Sequence, residues 1–212
     1  SGSEAAMLTA YTLIASKNEK INRLTTDSVV FIDPTLNPDG RDRHSQWANQ
    51  YKSINLVADS NDAEHNESWP RGRTNHYWFD LNRDWLLAIH PEIRGKLNWL
   101  HEWYPNVVVD VHEMGTNSNY FFDPMKPSAS VKPLIPQENV DLYPIFAEYY
   151  IKYMDSIGSF YYSKESFDET YPGYGSTYSD LQGGLALLFE QASSRGHVQE
   201  TNYGEMTFGF TI

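Results

Sequence analysis

Two apolar runs, each leading into an ionisable side chain, limit what this chain can fold into. Asn106-Val107-Val108-Val109-Asp110-Val111 runs into His112 and Glu113. A valine run of this kind suits an interior parallel strand, buried on both faces, better than the alternating strand of a half-solvated sheet. Leu185-Ala186-Leu187-Leu188-Phe189 is a second buried strand and ends on Glu190. Helical patterns lie between the two. Pro91 suits the first position of a helix with an apolar stripe of Ile93, Leu97 and Leu100. Pro144 opens another, with Phe146, Tyr150, Met154 and Ile157 in register and Gly158 as its C-terminal cap. Strands alternating with helices predict an α/β domain, whose ligands bind beyond the carboxyl ends of the strands. His112 and Glu190 both stand at such ends.

The remaining segments fill in this frame. Ser28 to Ile32 is a short apolar run ending at Asp33-Pro34 and reads as a further buried strand. Residues 34–75 are rich in turn formers and charges and read as a long ordered loop, with a helix near 43–52; loops of that length are usually functional. Residues 117–136 and 163–183 also read as loops. At the start, Ser1-x-x-Glu4 has capping-box spacing, and Met7, Ala10, Tyr11 and Ile14 follow on one helical face. A chain that opens on a helix cap is expected to be a fragment or a processed product.

Bulk properties exclude several classes. The 212 residues suffice for one domain with a sizeable core. A net charge of −12, from 16 basic and 28 acidic side chains, argues against general nucleic-acid or anionic-membrane binding. No apolar run approaches the length of a transmembrane helix. The chain has no Cys, which rules out disulfides and thiolate metal sites and leaves the compartment unread.

The chemistry concentrates in Gly72-Arg73-Thr74-Asn75-His76-Tyr77-Trp78-Phe79-Asp80-Leu81-Asn82-Arg83-Asp84-Trp85. Guanidinium groups present a planar, permanently charged fork suited to a carboxylate or an oxyanion. The bland alternative for this segment is a surface cluster of ion pairs with Asp80, Asp84 and Arg71. His112 and Asp110 project from the same face of their strand, so a carboxylate there could orient an imidazole ligand; a buried His–Asp pair would look the same. Glu113 points to the other face. Glu190, at the end of so apolar a strand, must be solvated, paired or functional.

The pattern Gly-Arg-x-Asn-x-x-x-x-Asp-Leu-Asn-Arg, preceded by Asn37-Pro38-Asp39-Gly40, resembles the zinc metallocarboxypeptidases, their regulatory branch in particular. Three further matches follow in the family's order: Val107 to His112, then Tyr171 with Gly175 and Asp180, then Leu187-Leu188-Phe189-Glu190. The resemblance implies a single α/β domain with a mixed, largely parallel sheet flanked by helices, truncated at its N-terminus and at its C-terminus, with residues 1–212 as a partial catalytic domain. It implies one zinc ion per complete domain with His112 as the third ligand. The other two ligands, a His-x-x-Glu pair, are expected upstream of Ser1, and a fragment lacking them is expected to be inactive by itself. Glu190 is implied as general base, Arg73 as oxyanion donor, Asn82 and Arg83 as the clamp on the substrate's terminal carboxylate, and Tyr171 as the tyrosine that closes over substrate, with Tyr174 as its rival. The implied partner is a peptide with a free C-terminal carboxylate, and relatives of this type are usually secreted or periplasmic.

Two other functions fit the same residues: an amidase or deacylase of the same superfamily, and a non-catalytic binding module on the same fold. The floor of a specificity pocket is expected near Tyr178-Ser179-Asp180. His197-Val198-Gln199-Glu200 has His-x-x-Glu spacing but follows Glu190, out of the family's order, and is read as a chance match.

Overall fold

The computed structural model describes residues 2–125, 134–168 and 170–212. Its centre is a parallel pair of eight-residue strands, β1 (Val107–Met114) and β4 (Leu185–Ala192), in a register that sets His112 opposite Glu190. β2 (Tyr120–Phe122) pairs antiparallel with β4, and β3 (Tyr161–Tyr162) pairs parallel with β2. The order β1-β4-β2-β3 is a mixed sheet, as expected of the fold class. A separate antiparallel pair, β5 (Val198–Thr201) and β6 (Gly204–Thr207), follows.

Helices flank the larger sheet. α4 (Pro91–Trp103) buries Ile93, Leu97 and Leu100, the stripe read from the sequence, in a cluster with Leu81, Trp85 and Tyr178 that also takes in Val108 of β1. α5 (Gln137–Ile157) lays Tyr143, Phe146 and Tyr150 on Leu185 and Leu187 of β4. Leu188, on the alternate face of the same strand, packs with Phe121 and Met125. Each such side chain taken fully out of water contributes roughly 1.5–3 kcal/mol. The remaining helices are α1 (Gly2–Ala15), α2 (Glu19–Asp27), α3 (Pro38–Tyr51) and the single turn α6 (Gly175–Tyr178).

Several elements differ from their reading in the sequence. Residues 28–32 form no ladder; Phe31 instead packs edge-on against Trp99 and at a tilt against Trp103 of α4, with ring centroids 4.7 and 4.8 Å away. A strand needs a neighbour to pair with, and among the described residues none lies beside this segment. β1 is parallel as expected, and among the described residues it lies at the edge of the sheet rather than inside it. α3 begins at Pro38, well before residue 43, because Asn37 caps it by accepting from Gly40 N–H at 3.1 Å. Pro144 falls inside α5 rather than at its start. Tyr120 to Phe122, in a segment read as loop, is a strand too short to show a period. Met7, Tyr11 and Ile14 of α1 lie exposed. Ser1, with its capping-box reading, lies outside the described residues, as does the 126–133 stretch of the loop read at 117–136.

Asp180, at the expected pocket floor, is fully buried and spoken for. It accepts from Tyr143 Oη at 2.6 Å, Asn139 Nδ2 at 2.8 Å and Ala186 N at 2.9 Å, tying α5 to the start of β4. Burial drives its carboxyl up to about 6, against the hydrogen bonds from Tyr143, Ala186 and Asn139 that hold it down. The folded state therefore binds this proton more tightly than the unfolded chain does. That contribution is fully present below the ordinary value of 3.8 and is lost as pH rises through about 6. Asp180→Asn removes the titration. Between about pH 4 and about pH 7 the parent should lose up to about 3 kcal/mol relative to this variant in urea unfolding. A difference that stays constant across that range would mean that Asp180 is charged in both states.

Candidate active site

The segment bearing Arg73, Asn82 and Arg83 has little regular structure, so its shape comes from what clamps it. α3 does much of this. A Cβ on Gly40 would sit 2.0 Å from the carbonyl oxygen of Gly72, so helix and loop meet backbone to backbone and position 40 has no room for a side chain. Asn37 Nδ2 donates to the carbonyls of Gly72 and Arg73 at 3.4 and 3.2 Å. Arg43 Nη2 donates to those of Thr74 and Asn75 at 2.6 and 3.0 Å. The Asn-Pro-Asp-Gly motif and the Gly-Arg-Thr-Asn motif are thus two halves of one joint. Asn75, fully buried, then folds the chain back: its Oδ1 accepts from the N–H groups of Tyr77 and Phe79, both at 3.0 Å.

Asp80 organises the next turn. Its Oδ1 accepts from Asn82 N at 2.9 Å, and its Oδ2 accepts from Arg73 Nε at 3.0 Å, with Arg83 Nη1 at 3.8 Å. Arg83 also donates to the Asn82 carbonyl at 2.8 Å and lies over the Tyr174 ring, 4.4 Å from its centroid. Tyr171 Oη donates to the Arg83 carbonyl at 3.0 Å, and the two tyrosine rings meet edge-on at 5.2 Å. Both candidate tyrosines therefore border Arg83.

Asn82 joins this segment to the sheet. Its Oδ1 accepts from Gly175 N at 2.8 Å; its Nδ2 lies 3.2 Å from Asp110 Oδ2 and 2.8 Å from His112 Nε2. His112 Nε2 is also 2.9 Å from Asp110 Oδ2. Asp110 can accept a hydrogen carried on Nε2, whereas the Asn82 amide can only donate to a lone pair there, so the two contacts ask for opposite tautomers; with Asp110 as the partner, Nδ1 keeps the lone pair of a neutral ring. Gly175 is needed here too, because a Cβ would fall 2.8 Å from the Trp85 ring and 2.9 Å from Asp110 Oδ2.

The electrostatics form one coupled set. Burial works against a charged His112, but the charge and hydrogen bond of Asp110, with the charge of Glu190, outweigh it and hold the imidazole above its ordinary range. Burial likewise pushes Asp110 up, but the charge and hydrogen bond of His112, then Lys96 and Asn82, bring it below its usual value. Glu190 ends above its usual range because burial, with smaller pushes from Asp110 and Glu113, exceeds the pull of His112 and Arg73.

His112, Glu190, Asn82 and Asp110 thus come together, with Arg73 close enough for its charge to be felt by both His112 and Glu190. Arg83 and Tyr171 form the adjoining wall. His197, by contrast, is turned to Glu64: its N–H and Nδ1 lie 2.7 and 2.6 Å from Glu64 Oε1, and Glu200 has no part in that pair. Sequence reasoning missed the group Asp39, His76 and Glu92, whose donor atoms lie within 4.8 Å of one another. His76 Nδ1 already pairs with Asp39 at 2.7 Å, and no local spacing signals residues so far apart in the chain. Among the described residues no helix is long and apolar enough to cross a membrane.

Comparison with known proteins bears on the fold and the family. The fold is similar to that of a metallo-carboxypeptidase from Burkholderia cenocepacia, with a TM-score of 0.55 and 20% identity over 83% of this chain and 39% of that one. It is similar also to a putative carboxypeptidase from Burkholderia mallei ATCC 23344, with a TM-score of 0.56 and 17% identity over 86% and 42%. The chain therefore spans about two fifths of the length of these solved structures. No curated protein matches it. The family model for zinc carboxypeptidases, Peptidase_M14, matches residues 1–212 throughout, and the chain belongs to that family.

Proposed function

We propose that this chain is the larger part of the active site of a zinc-dependent carboxypeptidase that removes the C-terminal residue of peptides. The observation that carries the reading is the pairing of His112 with Glu190 across the β1–β4 ladder, with Asn82 and Arg73 converging on the same spot. In this reading His112 is a zinc ligand through Nδ1. Its Nε2–H is held by Asp110, an outer carboxylate that would fix the tautomer and raise the basicity of the ring. The residues present fit the metal only in part. A catalytic zinc site takes three protein ligands and keeps a position open, and among the described residues the one group of three clustered donors does not include His112. The missing ligands would come from outside residues 1–212. Zinc, when bound, supplies Lewis-acid and water-activating chemistry.

The chain's own residues supply the rest. Glu190, buried and raised above its usual range, takes the proton of the attacking water and delivers it to the departing amine. Arg73 stabilises the oxyanion, exchanging its contact with Asp80 for the developing charge. Asn82 and Arg83 hold the substrate's terminal carboxylate, and Tyr171, beside Arg83, covers it. Export from the cytoplasm belongs to the same proposal and stands on the family resemblance alone.

Four outcomes test this, three in the complete protein and one in residues 1–212. Glu190→Gln should lower turnover by about 10²–10⁴-fold or more while zinc and substrate binding stay near the parent's; near-normal turnover would put the base elsewhere. Arg83→Ala should mainly raise KM and erase the preference for free acids over amidated C-termini, because its contact is the same in ground and transition states. Arg73→Ala should mainly lower kcat, by about 10²–10³-fold. A parent enzyme that cleaves amidated and free peptides equally well would support the amidase reading instead. Residues 1–212 alone should keep no stoichiometric zinc after dialysis. Elemental analysis finding one tightly held ion per chain would overturn the one-ligand assignment.

A further inference from the structure

Three segments meet beside the joint that places Arg73, and each brings a side chain able to bind a metal ion. Asp39 stands on the first turn of α3, between Asn37 and Gly40, the two residues that fix the backbone at Gly72 and Arg73. His76 follows Asn75 on the arginine-bearing loop, and Glu92 stands on the first turn of α4. Their donor atoms lie within 4.8 Å of one another. His76 Nδ1 is 2.7 Å from Asp39 Oδ2 and 4.0 Å from Glu92 Oε1, and the backbone N–H of His76 donates to the same Asp39 oxygen at 3.2 Å.

Helix chemistry accounts for part of this. A carboxylate on a first turn offsets the positive end of its helix, which explains an acid at 39 and another at 92. A hydrogen-bonded His–Asp pair explains the 2.7 Å contact. Neither explains how Glu92 is held. Its side chain is only 21% exposed, its Oε1 lies 3.4 Å from Asn75 Nδ2, and its Oε2 is buried with no hydrogen-bond partner. A buried carboxylate oxygen without a donor is costly. Among the described residues the basic group within 4.0 Å of this carboxylate is His76, whose Nδ1 is already turned to Asp39.

We propose that Asp39, His76 through Nδ1, and Glu92 bind one divalent first-row transition cation, at a site separate from the one His112 serves. The donors set the class of ion: carboxylates alone would suit Mg²⁺ or Ca²⁺, whereas an added imidazole nitrogen favours ions such as Mn²⁺ or Zn²⁺. Ligand atoms about 2.0–2.2 Å from such an ion stand about 3 Å or more apart, so His76 and Asp39 part slightly while Glu92 closes in. The ion takes the place of the hydrogen between Nδ1 and Oδ2, which leaves to solvent or moves to Nε2. Glu92 thereby gains the positive partner that its buried oxygen lacks. The Asp39 and His76 side chains are 41 and 51% exposed, so water completes the coordination, and the two helix ends oppose a positive charge. The ion is therefore an exchangeable one that dialysis removes. Its ligands come from α3, the loop and α4, so it pins the segment bearing Arg73 to both helices. The site stands on its own geometry and not on the proposed function.

Electron paramagnetic resonance of added Mn²⁺ tests the site in the complete protein and without reference to turnover. The free-ion signal should fall as one Mn²⁺ binds per chain, and the spin echo of the bound ion should carry the modulation of an imidazole nitrogen. Glu92→Gln, which keeps the shape of the side chain, should weaken binding by at least the roughly 10–100-fold that loss of a partner behind a ligand costs. His76→Ala should do the same and erase the nitrogen modulation, while His112→Ala should change neither. No binding up to about 1 mM Mn²⁺, the weak end of protein cation sites, would overturn the proposal. So would binding that both Glu92→Gln and His76→Ala leave intact. Binding lost in His112→Ala but kept in His76→Ala would assign the ion to the candidate active site and overturn it equally.

Discussion

The parallel ladder between β1 and β4 is the constraint on which the candidate site depends. Its register puts His112 and Glu190 directly opposite each other at the ends of two strands that are apolar along most of their length. Parallel pairing has a further consequence: both strands finish at the same end of the sheet, so two ionisable groups more than seventy residues apart share one small, partly desolvated volume. A shift of one residue would send one of them to the opposite face. The packing of Leu185 and Leu187 under α5, and of Leu188 under Phe121, opposes such a shift, since it would invert every one of those contacts.

Around that pair the charges are balanced rather than isolated. His112 and Glu190 each feel the charges of the other, of Asp110 and of Arg73, Asp110 feels that of His112, and burial acts against the charged form of all three titrating groups. In a low-dielectric setting an unpaired member would be costly, and a fully satisfied network is correspondingly rigid. Asn82 adds geometry to the electrostatics, because its two polar ends reach Gly175 on one side and the Asp110–His112 pair on the other. The site is in this sense a junction of three chain segments held by one amide side chain.

The glycines at positions 40 and 72 do comparable work at a distance from the sheet. Direct backbone contact between α3 and the loop, reinforced by Asn37 and Arg43, lets a segment with almost no regular structure present Arg73 in a defined place. The arginine is ordered by its carbonyl and its neighbours, while its guanidinium rests on Asp80.

The sequence alone determined the fold class and singled out the candidate chemistry-bearing residues. His112 and Glu190 stand out because an apolar run leaves its terminal ionisable residue nowhere to hide. The stripe Ile93, Leu97 and Leu100 is buried as its spacing requires. The motifs from Asn37 to Glu190 occur in one order, and that order identifies the family before any coordinate does. Tertiary structure decided what depends on neighbours. Residues 28–32 have strand composition but no ladder, because pairing belongs to two segments and composition to one. β1 reads as interior and, among the described residues, lies at an edge for the same reason. Asp180 could be read as a pocket charge until its three hydrogen bonds to α5 and β4 were seen. Pairings such as His76 with Asp39 or His197 with Glu64 join residues tens of positions apart or more, and no local periodicity encodes them. Local sequence sets what a residue is able to do; the distance to its partner is set only when the whole chain has packed.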